Sequence, residues 1–166
     1  MHALFVAVCL ATVTATPTLA QEPVGCDKFK WPVAREMAAL RAPNLKAVAS
    51  GSNVAMIPFA ATVLLAPLNG ASLPKVPERA PKNDTFAGYL PIVGAAAGTY
   101  SISLSDAAWV DVIQDNRFLR ARAHSGVQGC EGIRKVLQFD LTSEPFVIQI
   151  SAAPTERLTI AIMPTE

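Results

Sequence analysis

Apolar and polar residues alternate with a period of two through much of the second half of the chain. Tyr100, Ile102 and Leu104 alternate with Ser101, Ser103 and Ser105, which predicts a strand with one apolar face. The period recurs over residues 133–141, with Leu137, Phe139 and Leu141 on one side. It returns at Phe146, Ile148 and Ile150, and at Leu158, Ile160 and Ile162. Residues 86–93 and 109–113 read as further strands, with a turn at 94–98. Asp115-Asn116 predicts a tight turn, from which residues 117–123 pair back as the second arm of a hairpin. Residues 126–132 form a glycine-rich loop around Cys130.

The first half reads differently. Residues 32–41 predict one helix: Pro32 sits in the first turn, and Val33, Met37 and Leu40 form a stripe at i, i+4 and i+7 with Arg35 and Glu36 off it. Residues 54–68 are apolar and carry Pro58 and Pro67, which predicts two short strands separated by a bend. Residues 73–84 hold three prolines and several charges, and read as a solvated connection over one end of the domain. Short strands about every ten residues predict a mainly β fold in which one face of each sheet is buried. The expected architecture is an antiparallel, jelly-roll-like β-sandwich with one short N-terminal α-helix; a barrel is the other closure of the same strands.

Composition adds a compartment. Residues 1–20 contain no Asp, Glu, Lys or Arg, and residues 3–13 are an apolar run too short to span a bilayer as a helix. Thr18-Leu19-Ala20 presents small residues at the positions a signal peptidase reads, and Ala15 offers an alternative cut. The expectation is a signal peptide over residues 1–20 followed by a single domain over 21–166, periplasmic or secreted. The start departs from the usual pattern, because His2 stands where Lys or Arg is normal. No later run is long enough to cross a membrane as a helix. The formal net charge of +1 gives no electrostatic case for nucleic acid or an anionic membrane surface.

Of three cysteines, Cys9 falls in the leader, leaving Cys26 and Cys130 as an even pair in an oxidising compartment. A disulfide between them is the first expectation; a pair of metal or redox thiols is the alternative, without a second ligand near either. A lipid anchor on Cys26 lacks the lipobox order at Val24-Gly25.

Candidate chemistry is sparse. His124 is the one histidine beyond the leader, too few for an iron site of two histidines and a carboxylate or for the usual catalytic zinc sites. No metal or cofactor is therefore expected, although Asp106, Asp111, Asp115 and Asp140 leave an all-oxygen calcium site open. His124 and Ser125 are adjacent, so on a strand they face opposite ways, and no G-x-S-x-G elbow exists. A carboxylate pair such as Asp111 with Asp140 or Glu131 has no supporting pattern. The glycines do not form a phosphate loop.

Binding is better represented. Trp31, Tyr89, Tyr100 and Trp109 offer aromatic faces, with Arg79, Asp111 and Arg117 as polar partners. Tyr100 belongs to an alternating core face, and Trp31 adjoins the helix stripe. Trp109 and Asp111 share one strand face, Val110 and Val112 the other. With the valines inward, Trp109 and Asp111 are expected at the surface together, and Trp109, Asp111 and Arg117 are the candidate ligand-binding residues.

The segment C-D-x-F-x-W-P-x-x-R-E from Cys26 resembles the start of a family of small exported proteins from Gram-negative bacteria. Pro77-Glu78-Arg79-Ala80-Pro81-Lys82, the run from Gly98-Thr99-Tyr100 to Trp109-Val110-Asp111-Val112, and Gly129-Cys130 through Arg134-Lys135 to Phe139-Asp140-Leu141 resemble the same family. The resemblance implies export and no characterised function. Some members carry the name homogentisate 1,2-dioxygenase, a much larger iron enzyme with a histidine-rich site, and that activity does not transfer to a chain offering His124 and no second ligand histidine. The later half is also similar, at the level of fold, to β-sandwich modules appended to secreted enzymes.

The sequence thus supports an exported, non-catalytic module binding an envelope glycan, a small molecule or a protein partner. A purely structural or protein-interaction domain and an enzyme are its rivals.

Overall fold

The computed structural model describes residues 22–165. The expected signal peptide over residues 1–20 lies outside them. The chain folds as a β-sandwich of eleven strands: β1 Ala47–Ala49, β2 Phe59–Leu64, β3 Ala66–Pro67, β4 Phe86–Ile92, β5 Gly98–Leu104, β6 Trp109–Gln114, β7 Arg117–Leu119, β8 Ala123–Gly126, β9 Lys135–Leu141, β10 Phe146–Ala153 and β11 Arg157–Pro164. One sheet has the order β1-β2-β11-β5-β9-β8, the other β3-β4-β10-β6-β7. Pairing is antiparallel except for β1 on β2.

The alternating residues fill the space between the sheets. Ile102, Leu137, Phe139, Leu158, Ile160 and Ile162 from one sheet meet Leu90, Ile92, Val110, Val112, Ile148 and Ile150 from the other in a single cluster. Tyr100 joins them, its hydroxyl donating to the Ala96 carbonyl at 2.8 Å.

The outer face of the larger sheet is not left to water. The helix α1, Ala34–Leu40, packs across β2, β5 and β11, shorter at both ends than the sequence suggests. Val33 and Leu40 of the predicted stripe are buried, with Met37 packed beside them, in a second cluster with Val127, Ile133, Val136, Ala161 and Met163. Glu36, expected off the stripe, is also buried; it lies one turn before Leu40 on the same side. The small serines of β5 accept this cover: Ser101 and Ser103, on the face away from the main core, are both buried. The expectation of one buried face per sheet is therefore corrected: the larger sheet is covered on its outer face by α1, and the smaller sheet also buries Asp111, Gln149 and Ser151 on the face away from the core.

Cys26 and Cys130 form a disulfide across 104 residues, with Cα atoms 4.8 Å apart. Backbone bonds beside it, Gly25 N–H to Gln128 O and Gln128 N–H to Pro23 O, both 2.8 Å, stitch the N-terminal segment to the loop before β9.

Asp115 and Asn116, at φ 51° and 58°, make the two-residue turn between β6 and β7. The predicted second arm is cut short. Only Arg117–Leu119 pairs with β6; the chain then changes sheets, and Ala123–Gly126 pairs with β9. The Arg122 N–H bonds the Gln138 carbonyl and its guanidinium reaches Asp140 at 3.2 Å, which capture the crossing segment on the second sheet.

Candidate functional site

Val110 and Val112 do face the core, so Trp109 and Asp111 project from the outer face of the smaller sheet. They are not exposed together. Trp109 is half-buried and Asp111 is 2% exposed. The reason is the proline-rich segment 73–84, which lies over this sheet face rather than over one end of the domain. Lys75 N–H donates to Gln149 Oε1 at 3.0 Å, and Glu78 N–H to Asp111 Oδ2 at 3.3 Å. Gln149 Nε2 donates to the same Oδ2 at 3.2 Å, and Trp109 Nε1 to Asp111 Oδ1 at 2.5 Å. Asp111 is thus an acceptor for three donors. It fixes the indole and anchors the loop, and no ligand reaches it without displacing them.

Beside this network opens a cleft of about 540 Å³, lined by Glu22, Arg79, Pro81, Lys82, Trp109, Arg134 and Lys135 among others. Its walls come from the N-terminal segment, the 73–84 loop and the starts of β6 and β9. The Arg79 guanidinium and the Lys135 ammonium each lie 5.7 Å from the Trp109 ring centroid, within cation–π range. Lys135 also donates to the Ala108 carbonyl at 3.1 Å. Burial pushes its ammonium below the usual lysine range; Glu22 opposes that shift, while Arg134 and Arg79 add to it. Arg134 is ion-paired with Glu22 and donates to the Val127 carbonyl at 2.7 Å. The hydrogen bond from Arg134 holds the Glu22 carboxyl below its ordinary range.

The cleft lining includes Ala152, at φ 54° a left-handed conformation that costs a non-glycine residue energy. It sits where the β10–β4 register shifts between Ile150 and Ala153.

The other sequence candidates fall elsewhere. Arg117 is paired with Gln114 at the far end of β6, about 17 Å of strand from Trp109, and extends toward Asp115. Trp31 packs in the second cluster and Tyr89 lies against Gly51. His124 is exposed on β8, while Ser125 is buried and accepts the Lys30 N–H at 3.0 Å. Asp106 accepts the Ala107 N–H, and Asp140 accepts from Thr99 and Arg122, Thr99 doing most to keep its carboxyl low. Asp111 and Asp140 stand on different sheets.

Lys82, Arg134 and Lys135 were not among the sequence candidates, and Arg79 was named only as a polar partner. Lys135 carried a readable signal. It is in phase with Leu137, Phe139 and Leu141, and a cation in register with a core face at a strand's first residue marks the rim of a sandwich.

No protein-family model matches the chain, and no curated protein or solved structure compared with it does either. The β-sandwich fold is therefore established by the structure alone.

Proposed function

We propose that the chain is an exported, non-catalytic β-sandwich module that binds a small ligand in the cleft beside Trp109. The observation carrying this is a space of about 540 Å³, within the range of small-molecule sites, bordered by an indole whose position is fixed at its Nε1 edge by Asp111. The lining offers cations, alanines and prolines, with one carboxylate already committed to an ion pair. It holds no nucleophile beside a base and no pair of carboxylates, so recognition suits it better than catalysis.

Export is supported by the Cys26–Cys130 pairing and by the charge-free apolar start of the sequence. No helix among the described residues is long and apolar enough to cross a membrane. The resemblance to small exported Gram-negative proteins points the same way. Intact-mass analysis of protein recovered outside the cytoplasm should show loss of residues 1–20 and of two hydrogens for the disulfide; a full-length, reduced product would contradict the reading.

The binding reading is tested by a thermal-shift screen of the oxidised protein against sugars and small metabolites, neutral and charged. A ligand at a hundred times its Kd adds about 2.7 kcal/mol, roughly 5–10 °C in a domain of this size. Ala107→Phe, which fills part of the cleft from an exposed position, should abolish the shift while leaving the ligand-free midpoint in place. A flat screen, or a shift that survives Ala107→Phe, would refute the assignment of binding to this cleft.

A further inference from the structure

We infer that the ligand of this cleft is an oxyanion-bearing small molecule, a sugar-sized carboxylate or phosphate ester, held by Arg79 and Lys135. The inference rests on the binding reading above and specifies its chemistry.

The chain has a formal net charge of only +1, yet four cationic side chains and one carboxylate line this single cleft. Even with Asp111 counted at the Nε1 edge of the indole, a surplus of two positive charges remains. That surplus is not neutralised locally. Arg134 is matched by Glu22, whereas no carboxylate of the described residues lies within ion-pair distance of Arg79 or Lys135. Each instead lies 5.7 Å from the Trp109 ring centroid.

The indole's role follows from that placement. With two cations over the ring, stacking of a neutral sugar or aromatic ring is not its main use. It acts as a platform, itself pinned through Nε1 to Asp111, against which two flexible side chains are positioned. The guanidinium then presents a planar fork suited to a carboxylate or phosphate, and the ammonium a point charge with one N–H spent on Ala108. Clefts walled by low-dielectric protein focus such charge toward an entering anion. Burial of the Lys135 ammonium has the same consequence, since a bound anion restores the stabilisation that water no longer supplies. The volume sets an upper limit near one or two sugar rings, which excludes engagement of a folded acidic partner inside the cleft.

The experiment is calorimetric titration of the oxidised protein with inorganic phosphate, glucose 6-phosphate, glucuronate and neutral glucose, at low salt and at roughly 0.2 M salt. The charged sugars should bind at least about tenfold more tightly than glucose, equivalent to about 1.4 kcal/mol, and weaken as salt rises. Arg79→Gln, in an exposed loop position, should weaken the charged probes by about tenfold with an unchanged unfolding midpoint. Arg117→Gln, at the far end of β6, should change nothing. Lys135→Met gives a second reading, provided its unfolding midpoint shows that it folds.

The ratio of glucuronate to glucose 6-phosphate tells carboxylate from phosphate, and either preference supports the inference. Glucose binding as tightly as both charged sugars, in a manner abolished by Ala107→Phe, would overturn the inference and leave the cleft reading standing. Charged probes that bind but ignore both Arg79→Gln and Ala107→Phe would overturn both. No binding of any charged probe up to about 10 mM, well weaker than ordinary ligand affinities, would overturn the inference outright.

Discussion

Replacing Asp111 with asparagine exchanges one oxygen for an NH2 group and keeps the shape of the side chain. The cost comes from direction. Trp109 Nε1, Gln149 Nε2 and the Glu78 N–H all donate to this carboxylate, at 2.5, 3.2 and 3.3 Å. An amide offers one acceptor atom, so whichever way it turns at least one donor meets another donor. Gln149 offers no escape by flipping, because its Oε1 already accepts the Lys75 N–H at 3.0 Å. A lost hydrogen bond to a charged acceptor is worth about 1.5–3 kcal/mol, and relief of the buried charge offsets part of that. The expected net destabilisation is about 2 kcal/mol, or roughly 4–8 °C in midpoint. Asp111→Ala, which strands all three donors, should cost more, about 3–5 kcal/mol.

Two assays read this. Urea unfolding of the oxidised protein measures the global term. Limited trypsin digestion measures the local one, since the anchored segment carries cleavage sites at Lys75, Arg79 and Lys82. Asp111→Asn should speed cutting at those sites before the remaining chain becomes sensitive. A midpoint equal to wild type together with unchanged tryptic rates would show that the Asp111 network does not hold the segment down.

Three further outcomes are expected. Cys130→Ser opens a loop spanning 104 residues, for which chain entropy gives an upper figure of about 4.7 kcal/mol; denaturation midpoints equal to oxidised wild type would contradict the crosslink. Glu22 has its folded pKa lowered by Arg134, so its contribution is present above the unfolded carboxylate pKa and disappears as pH falls through the folded one. Wild type should therefore exceed Glu22→Gln at neutral pH by at most about 1 kcal/mol, given the solvent exposure of the pair, and the difference should vanish in acid rather than grow. Ala152→Gly should relieve a left-handed φ of 54° worth about 1–2 kcal/mol at an entropic cost of about 0.5–1 kcal/mol, for a net gain measurable by thermal unfolding; a lower midpoint would refute the strain.

Much of the sandwich was legible because its strands obey a strict period. The alternations around Ile102, Phe139, Ile148 and Ile160 and the helix stripe of Val33, Met37 and Leu40 each mark a face that must be buried. What could not be read depends on contacts distant in sequence. β1 is three residues long and pairs in parallel, too short to display a period. The serines between Tyr100 and Leu104 look like a solvent face, and only the arrival of α1 makes their small size a packing feature. Trp109 and Asp111 were found as a pair, but not their cover, because proline-rich composition gives no destination for a loop. Arg117 was grouped with them through proximity in sequence, whereas the strand carries it to the opposite end.

The cleft draws most of its lining from four stretches that are far apart along the chain: Glu22 near the start, the loop around Arg79, Trp109 opening β6, and Arg134-Lys135 entering β9. A ligand bound there as proposed would act as a splint across both sheets and the disulfide-tied segment. Separating any one of those stretches from the others breaks the site, so occupancy penalises the partial openings that involve them as well as complete unfolding. Amide exchange should accordingly slow in all four stretches on binding, including those whose own atoms barely touch the ligand, and the slowing should grow with ligand concentration as mass action requires.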